Sequence, residues 1–515
     1  MGTAGFVVTA GCRSFPYVSR LMTRVRMGSL SPGPPHQQEM DGMYDFIVCG
    51  SGSSGSTVAG RLAEDPDVSV LLVEAGGSDE SEAVQDPDLW PLNLESERVW
   101  DFTTVPDQAV GGRTLPYAMG RVLGGGGSVN VSNWVRGHRD DWARYARLTG
   151  DPAWGHEAIG EVFRRIEDGP MHVQPASPHP LGEAVLAAAG EAGLPTCSNV
   201  NGALATRDRG SVRSVKTIRN GRRFSPYRAY VAGPDRPNLT VMPGTLVLRV
   251  IVEGGRAVGV RVLTGGRTED IHARTEVVLS LGAVNTPKVL MLSGIGDADE
   301  LARHGIPVTG HLPGVGRNLQ DHAHLDLVWN TAPGVQLPPP GDTGVAGFWS
   351  RGFMYVTPAP GGGINFMVGV PMHNPGRVRL ASADPTAGPL IETGYFTHAD
   401  DMTEALKALN IARSIVTAPA LRSWIGDERL PGAADAERYL RESVHTFWHQ
   451  TGTARMGNDE LAVVDSRLRV IGCAGLRVAD ASVLPHVPMA NTMAPSVAVG
   501  EQAALFIRED GRTPL

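Results

Sequence analysis

The chain has 515 residues, of which 42% are hydrophobic and 19% charged, and its formal net charge is -8 at pH 7. This acidic balance disfavours a nucleic-acid-binding protein, which ordinarily presents a basic surface. No apolar run approaches the roughly 18 residues of a membrane-spanning helix, so we expect no membrane span. The four cysteines are widely spaced and form no CxxC pair. They argue against a disulfide scaffold or a cysteine-type zinc site, and they favour a reducing, cytoplasmic location.

Residues 1–42 differ in composition from the rest of the chain. They contain several arginines but no acidic residue before Glu39, and they include the proline-rich stretch SPGPPHQQ. The apolar stretch GFVVTAGC precedes the arginines, which reverses the order found in a secretory signal. A transit peptide is one alternative. We interpret the segment as a disordered extension or as the result of a start codon assigned too early, with the first domain beginning at Met43.

The stretch from 44 to 76 has the pattern of a nucleotide-binding βαβ unit. FIVCG is a short apolar run typical of a buried parallel strand, and Gly50, Gly52 and Gly55 follow as GxGxxG. A helical pattern comes next, then a second apolar strand, VSVLLV, which ends at Glu74. Glycines allow the backbone to approach a pyrophosphate, and an acidic residue at this place binds a ribose hydroxyl. The pattern does not distinguish NAD from FAD.

Later segments repeat the α/β character. Residues 239–263 predict strands with a hairpin at Gly254–Gly255, and residues 275–296 predict a strand, a turn and a helix. A final strand and turn precede a helix expected from about Ser496. We therefore predict an α/β protein with a Rossmann-like nucleotide-binding lobe assembled from discontinuous segments. These segments are 43–139, 236–321 and 461–510.

The intervening segments, 140–235 and 322–460, form the expected second lobe. The first contains helical patterns, and the second contains strand-like stretches such as GGINFMVGVPM and GRVRLAS. We predict an α+β substrate lobe with an antiparallel sheet, lying over the cofactor.

Several separated motifs resemble the glucose–methanol–choline (GMC) oxidoreductases. GRVLGGGGSVNVSNWVRG (120–137) and GAVNTPKVLMLSGIG (282–296) look like the two signature patterns of that family. LPGVGRNLQDH (312–322) and the C-terminal blocks WHQTGTARMG and GLRVADASVLPHVPMANTMAP are also typical of it. The resemblance covers the chain from Tyr44 to about Ile507.

The resemblance implies that the nucleotide is FAD. Gly50, Gly52 and Gly55 would hold the pyrophosphate, Glu74 the adenosine ribose, Gly125, Ser128, Val129 and Asn130 the flavin, and Asp480 and Ala481 the pyrophosphate and ribitol. Some members of the family attach FAD covalently through a histidine just before the asparagine. Here Val129 occupies that position, which predicts non-covalent FAD.

The family also implies a catalytic pair. Oxidation of an alcohol moves a hydride from the carbinol carbon to flavin N5, and the hydroxyl proton must leave as well. A histidine base suits this proton transfer, and a second polar group holds the substrate oxygen. The matching positions in WHQTGT and PMANTMAP are His449 and Asn491.

The other histidines near these motifs have less specific interpretations. His445 would share a helix face with His449, and we interpret it as structural. His322, His324 and His486 match no catalytic position of the family and are expected in the core or the pocket lining. The HAH triplet at 322–324 is interpreted as structural, so we expect no metal site.

The resemblance implies an enzyme that oxidises a primary alcohol to an aldehyde. Dioxygen or another acceptor would reoxidise the flavin. The small-molecule substrate would be a choline-like alcohol, an aryl alcohol or the amino sugar of an aminoglycoside antibiotic pathway, the last weakly favoured by the acidic net charge. A hydroxynitrile lyase, which keeps the FAD and the base but transfers no hydride, is the alternative function. The sequence gives no indication of an oligomeric state.

Overall fold

A computed structural model describes residues 43–202, 204–337, 344–349, 352–359 and 361–512. The expected N-terminal extension, residues 1–42, lies outside these residues. Within them, no helix is both long and apolar enough to cross a membrane.

Ten α-helices and two large sheets organise the described chain. The helices are Ser53–Leu62, Glu82–Gln85, Arg139–Thr149, His156–Glu167, Pro180–Glu191, Gly282–Leu292, Ala298–Arg303, Ala399–Val416, Ala436–Ser443 and Met493–Arg512. The last helix begins three residues before the expected Ser496, and it packs against the first helix, Ser53–Leu62.

The first large sheet has seven strands. Six of them lie side by side in the order Leu239–Met242, Val70–Val73, Met43–Cys49, Arg267–Leu279, Arg256–Thr264 and Thr245–Glu253, and Leu476–Val478 also pairs with Arg267–Leu279. The pairs around Met43–Cys49 are parallel, as in a Rossmann-like unit, whereas the last two pairs are antiparallel and include the expected hairpin at Gly254–Gly255.

Burial explains the apolar runs in the central parallel strands. All four residues of Val70–Val73 are buried, as are the last four of Met43–Cys49. Each fully buried Val, Leu or Ile side chain contributes about 1.5–3 kcal/mol. The apolar run of Met43–Cys49 ends at Cys49. The polar Gly–Ser turn that follows therefore lies at the carboxyl end of this strand.

The second large sheet has eight strands. Seven lie in the order Ile425–Leu430, His322–Thr331, Ile364–Pro371, Gly352–Pro358, Val345–Trp349, Arg209–Arg213 and Thr196–Cys197, and His445–Thr446 also pairs with His322–Thr331. Every pair is antiparallel except the pair between Arg209–Arg213 and Thr196–Cys197. The α/β architecture with an antiparallel second sheet is therefore confirmed.

A helical layer covers one face of this sheet. Buried side chains of Ala399–Val416 and Pro180–Glu191 share an apolar core with those of His322–Thr331 and Ile364–Pro371. The opposite side of the sheet contributes Phe353, Tyr355 and Met367 to a separate apolar cluster that includes Phe447. This second cluster adjoins the cavity described below.

The smaller sheets have two or three short strands each. They pair Val99–Trp100 with Met119–Gly120, Gln174–Pro175 with Val215–Lys216, Ile218–Arg219 with Arg222–Arg223, and Ile295–Gly296 with Gly310–His311; a three-stranded sheet joins Arg317–Leu319, Gly376–Arg379 and Leu390–Glu392.

Candidate active site

One cavity brings together most of the residues singled out in the sequence. Its empty volume is about 1780 Å³, and this figure includes space that is open to solvent. Its lining includes Gly50, Gly52, Glu74, Gly125, Val129, Asn130, His449, Asp480, Ala481 and Asn491. Gly55 and Ser128 do not line the cavity and lie behind its wall, where both are buried.

The first glycine turn forms one end of the cavity. Gly50 has a positive φ of 98°, and a β-carbon there would lie 2.3 Å from the carbonyl oxygen of Ser280. Gly52 is the N-cap of the Ser53–Leu62 helix, and no side chain caps that helix. The amide groups at its start are therefore free to bind an anion, and the helix dipole favours a negative charge there.

Glu74 stands beside this turn at the end of its strand. Its Oε2 accepts hydrogen bonds from the amide nitrogen and the hydroxyl of Ser51, at 3.0 and 2.7 Å, and its Oε1 accepts one from Gly76 N at 2.8 Å. Burial raises the pKa of the Glu74 carboxyl, although these hydrogen bonds oppose the shift. The carboxyl is thus fixed in place at the cavity wall.

The second glycine run packs directly on the first. Gly125–Ser128 forms a short 3-10 turn, and a β-carbon on Gly125 would lie 2.8 Å from the Cα atom of Gly52. The Ser128 hydroxyl donates to Leu123 O at 2.7 Å, so it stabilises the turn from behind. Only glycine lets the two backbones approach this closely.

Asn130 continues this run along the cavity wall. Its Oδ1 accepts hydrogen bonds from Arg223 Nη1 and Ser132 N, each at 2.8 Å. The neighbouring Val129 is a buried aliphatic residue, which has no atom that could form a covalent bond to a flavin.

Asp480 ties the C-terminal segment to the Gly282–Leu292 helix, which contains the second signature pattern. Its Oδ2 accepts from Gly282 N at 2.9 Å and from the Thr286 hydroxyl at 2.6 Å, and its Oδ1 accepts from Ser482 N at 2.8 Å. Burial raises the pKa of Asp480, with these hydrogen bonds opposing the shift. Ala481, the next residue, therefore has a fixed place on the cavity lining.

These residues fit an FAD molecule. The uncapped helix start offers amide donors for the pyrophosphate, Glu74 offers a carboxylate for a ribose, and the glycine-only contact between the two turns leaves room for a ring system. The amide donors, the Glu74 carboxylate and the two glycine turns all belong to the same cavity.

His449 and Asn491 lie together in this cavity. Asn491 Nδ2 is 3.3 Å from His449 Nε2, and both residues are buried. On its other side, the Asn491 amide oxygen accepts a hydrogen bond from the Tyr355 hydroxyl. Neither residue lies in a helix or strand, so their placement depends on hydrogen bonds to Tyr355 and Asp321.

A buried carboxylate, Asp321, holds the backbone around His449. Its Oδ1 accepts from His449 N at 3.0 Å and from His322 N at 2.8 Å. Its Oδ2 accepts three hydroxyl donors, and burial raises its pKa. These donors are Tyr117 at 3.0 Å, Tyr395 at 2.6 Å and Thr446 at 2.6 Å.

The environment of His449 favours the neutral imidazole. Burial is the largest cause, and the neighbouring His322 and His324 add to it, so the pKa of His449 lies well below its ordinary 6.5. A neutral imidazole with an available nitrogen lone pair is the form that can accept a proton.

His445 does not share a helix face with His449, so that expectation was wrong. The Ala436–Ser443 helix ends before it, and His445 lies in a two-residue strand paired with His322–Thr331, opposite His324. Pairing at the edge of the sheet outweighs the helical spacing of the two histidines. His449 follows in a loop, after Trp448 with its positive φ of 60°.

His324, Asp326 and His445 form a cluster behind the cavity. Asp326 Oδ1 is 3.1 Å from His324 Nε2, and Asp326 Oδ2 is 3.3 Å from His445 Nε2. The side-chain nitrogen and oxygen atoms of the three residues lie within 4.8 Å of one another, as they would around a metal ion. Two imidazole N–H groups that donate to one carboxylate give the same distances. We interpret the cluster as a hydrogen-bonded network. Another group of this kind in the described chain comprises His373, His398 and Asp400.

An aromatic wall flanks His449 and Asn491 in the cavity. The Phe447 ring stacks on His449 with centroids 5.0 Å apart, and Trp448 packs edge-on to Trp90 at 6.2 Å. Tyr355 completes the wall. Trp448 precedes His449 in the sequence and lines the cavity, whereas nothing in the sequence around Trp90 or Tyr355 points to the site.

Three histidines near the motifs lie outside the cavity lining. His322, His324 and His486 are absent from that lining, and His322 and His324 are buried. His322 nevertheless contacts His449 directly, with their Nδ1 atoms 3.0 Å apart. The signal for Asp321 and His322 was present in LPGVGRNLQDH, but the motif alone does not show that contact.

Comparison with known proteins identifies the family. Two family models, an N-terminal and a C-terminal one that are both described as GMC oxidoreductase, match residues 44–324 and 372–500. A GMC-type oxidoreductase of Mycobacterium tuberculosis is 36% identical over 91% of this chain and 100% of its own length. The oxygen-dependent choline dehydrogenase of Rhizobium etli is 34% identical over 92% of this chain and 96% of its own.

A solved structure agrees with this family match. Pyridoxine 4-oxidase from Mesorbium loti superposes with a TM-score of 0.85 at 28% identity, covering 92% of this chain and 100% of that chain. From the family match, the relatives and the shared fold together, this chain belongs to the GMC oxidoreductases, a family of enzymes that bind FAD.

Proposed function

We propose that this enzyme oxidises a primary alcohol to an aldehyde, with His449 as the base. The observation that carries the proposal is the pairing of His449 Nε2 with Asn491 Nδ2, 3.3 Å apart, in the cavity that also contains the glycine turns and Glu74. FAD, when bound, supplies the acceptor for the hydride.

The two residues have separate roles in this proposal. The Nε2 lone pair of His449 takes the hydroxyl proton as the carbinol C–H bond breaks and the C–O bond becomes a carbonyl. The Asn491 amide nitrogen donates to the same oxygen while negative charge develops on it. The Tyr355 hydroxyl, by donating to the Asn491 amide oxygen, keeps the amide nitrogen directed at the site.

The chemistry of the cavity wall supports an aromatic alcohol as substrate. Trp90, Tyr355, Phe447 and Trp448 lie on the lining near the base. The lining within the described chain contains two carboxylates, Glu74 and Asp480, and both belong to the cofactor-binding groups above. An amino sugar with several positive charges would need carboxylates for pairing, whereas a flat ring is stabilised by offset or edge-on aromatic contacts.

Choline remains the second substrate to test, because one relative is named a choline dehydrogenase. An aromatic wall also attracts a quaternary ammonium group through the negative faces of its rings. The oxidase and dehydrogenase names of the relatives support oxidation over the lyase alternative.

The proposal is tested by an anaerobic spectrum of the purified flavoprotein. Benzyl alcohol, choline and the amino-sugar alcohol paromamine are added in turn. Bleaching of the flavin by benzyl alcohol, strongest of the three, is the expected result. Readmission of air then distinguishes an oxidase from a dehydrogenase. A bound flavin that none of the alcohols bleaches, together with cleavage of a hydroxynitrile, would favour the lyase instead.

Non-covalent attachment of FAD is part of the proposal. Val129 occupies the place that a linking histidine holds in some relatives, and its aliphatic side chain cannot form such a bond. Acid precipitation of the enzyme should therefore release all of the flavin into the supernatant. Yellow colour that stays with the precipitate would contradict this.

The division into two lobes is also proposed. Strands of the seven-stranded sheet come from 43–73, 239–279 and 476–478, and those of the eight-stranded sheet come from 196–213, 322–371 and 425–446. This distribution supports an FAD-binding lobe of 43–139, 236–321 and 461–510 and a substrate lobe of 140–235 and 322–460.

A further inference from the structure

His322 makes a direct contact with the proposed base. Its Nδ1 lies 3.0 Å from His449 Nδ1, and the two rings are nearly perpendicular, at 84°, with centroids 5.2 Å apart. Asp321 Oδ1 accepts from the backbone amides of both histidines, so one carboxylate sets the position of both rings. The pair is therefore held by its backbone as well as by the contact between the rings.

The hydrogen bonds on the cavity side determine which nitrogen of His449 carries the proton. The Tyr355 hydroxyl donates to Asn491 Oδ1, which turns the Asn491 amide nitrogen, a donor, towards His449 Nε2. Nε2 must then present its lone pair. Since a neutral imidazole carries one proton, that proton is on Nδ1 of His449.

Two Nδ1 atoms 3.0 Å apart can share only one proton in a hydrogen bond. With the proton on His449, the Nδ1 of His322 must be the acceptor. Burial lowers the pKa of His322 to about 3, so this ring stays neutral and retains the lone pair that the bond requires.

We propose that His322 is the positioning residue of the base: its Nδ1 accepts the Nδ1 proton of His449 and so keeps the Nε2 lone pair of His449 directed at the substrate hydroxyl. The inference rests on the proposed function for its chemical purpose. The opposite tautomer would present an N–H group to the cavity, and that group cannot take a proton.

The contact also acts during the proton transfer. When His449 takes the hydroxyl proton it becomes an imidazolium, and its Nδ1–H bond to His322 becomes charge-assisted and stronger. The other titratable groups that face this pair are Asp321, His324 and Tyr355. The acceptor on His322 therefore holds the ring of His449 in one orientation while the proton is transferred.

Two variants of the full-length, FAD-loaded enzyme test the role of His322. In His322→Leu the ring is replaced by an apolar side chain without an acceptor. In His322→Asn the amide oxygen can take the place of Nδ1. Flavin content and far-ultraviolet circular dichroism establish that each variant is folded, and His322→Asn keeps the test valid if His322→Leu does not fold.

The first readout is independent of activity. In enzyme labelled with ¹⁵N-histidine, the hydrogen-bonded Nδ1 proton of His449 should give a proton resonance downfield of the amide region. It is assigned by its loss in His449→Gln. We expect the resonance to be lost in His322→Leu and retained, with a shift, in His322→Asn. Its persistence in His322→Leu would overturn the proposal.

The second readout is the rate of anaerobic flavin reduction by the alcohol that reduces the wild type. We expect flavin reduction in His322→Leu to be slower by about 10- to 100-fold, which is less than the full contribution of a general base because His449 is still present. Substrate binding should change little. A solvent isotope effect on this step should grow in His322→Leu but not in His322→Asn, which should recover most of the rate. Equal rates in all three proteins would also overturn it. If no alcohol reduces the wild type, the resonance still tests the histidine pair, and only the proposed function fails.

Discussion

A β-carbon added at Gly55 would lie 1.9 Å from the carbonyl oxygen of Gly50. At Gly52, in the same motif, a β-carbon would meet no protein atom within 4 Å, and Gly52 lines the cavity. These two glycines of the turn therefore have different roles. Gly55 allows the helix to pack against the turn, and Gly52 leaves room for a ligand that approaches the backbone.

This difference predicts opposite phenotypes for two alanine variants. Gly55→Ala should lower the free energy of unfolding by about 1–3 kcal/mol or more, because the clash is with backbone. Gly52→Ala should unfold at the same temperature as the wild-type apoprotein yet bind FAD more weakly. Thermal unfolding and the flavin content of the purified proteins measure the two effects. Wild-type FAD content in Gly52→Ala would mean that the cofactor does not approach this turn.

The second prediction concerns the base. His449→Gln should retain FAD and lose about 10²- to 10⁴-fold in the rate of flavin reduction, the usual contribution of a general base. His445→Gln is the matched control, since His445 lies four positions earlier but does not line the cavity. It should remain within a few-fold of the wild type. Stopped-flow reduction under anaerobic conditions gives both rates, and an equal loss in the control would remove the assignment to His449.

The glycine turn, and the presence of His449 and Asn491 in the same cavity, could be predicted because the sequence signals for them are local. A strand that ends in GxGxxG and a helix must form that turn, and His449 and Asn491 stand within motifs that carry the family resemblance. The apolar runs of the central parallel strands likewise follow from burial. These features depend on neighbouring residues along the chain.

The supports of the base could not be predicted in the same way. His322 and His449 are separated by 127 positions, and their contact depends on the register in which Ala323 pairs with Thr446. The same register places His445 in a strand instead of on the expected helix. The approach of Tyr355 to Asn491 requires the strand order of the eight-stranded sheet, which no local pattern specifies.

The third prediction is the pH dependence of flavin reduction. Burial, His322 and His324 lower the pKa of His449 well below 6.5. The neutral, active form of the base therefore persists as the pH falls through 6.5, and it is lost only when the pH approaches the lowered value. We expect the rate of reduction to be the same at pH 8 and pH 6. A profile that halves between these values, in enzyme that keeps its flavin, would show that His449 titrates normally or that another group controls the step.

The fourth prediction concerns the aromatic wall. Trp448 holds a positive φ of 60°, which costs free energy for a bulky side chain, and its ring packs edge-on to Trp90 on the cavity lining. Such strain is maintained only where the surrounding contacts fix the residue, as the Thr446 hydroxyl does by accepting from Trp448 N at 2.8 Å. The indole is therefore held in place to form part of the binding surface.

Trp448→Leu keeps an apolar wall but removes the ring. An aromatic pair contributes about 0.5–1.5 kcal/mol beyond the area it buries, so the dissociation constant of an aryl alcohol should rise about 2- to 12-fold. The limiting rate of flavin reduction should change less, because the base and Asn491 are untouched. Reduction measured over a range of substrate concentrations separates the two quantities. An aliphatic alcohol of similar size is the control; if its binding weakens as much as that of the aryl alcohol, the indole acts through its volume and not through aromatic contact, and the preference for an aromatic substrate loses its support.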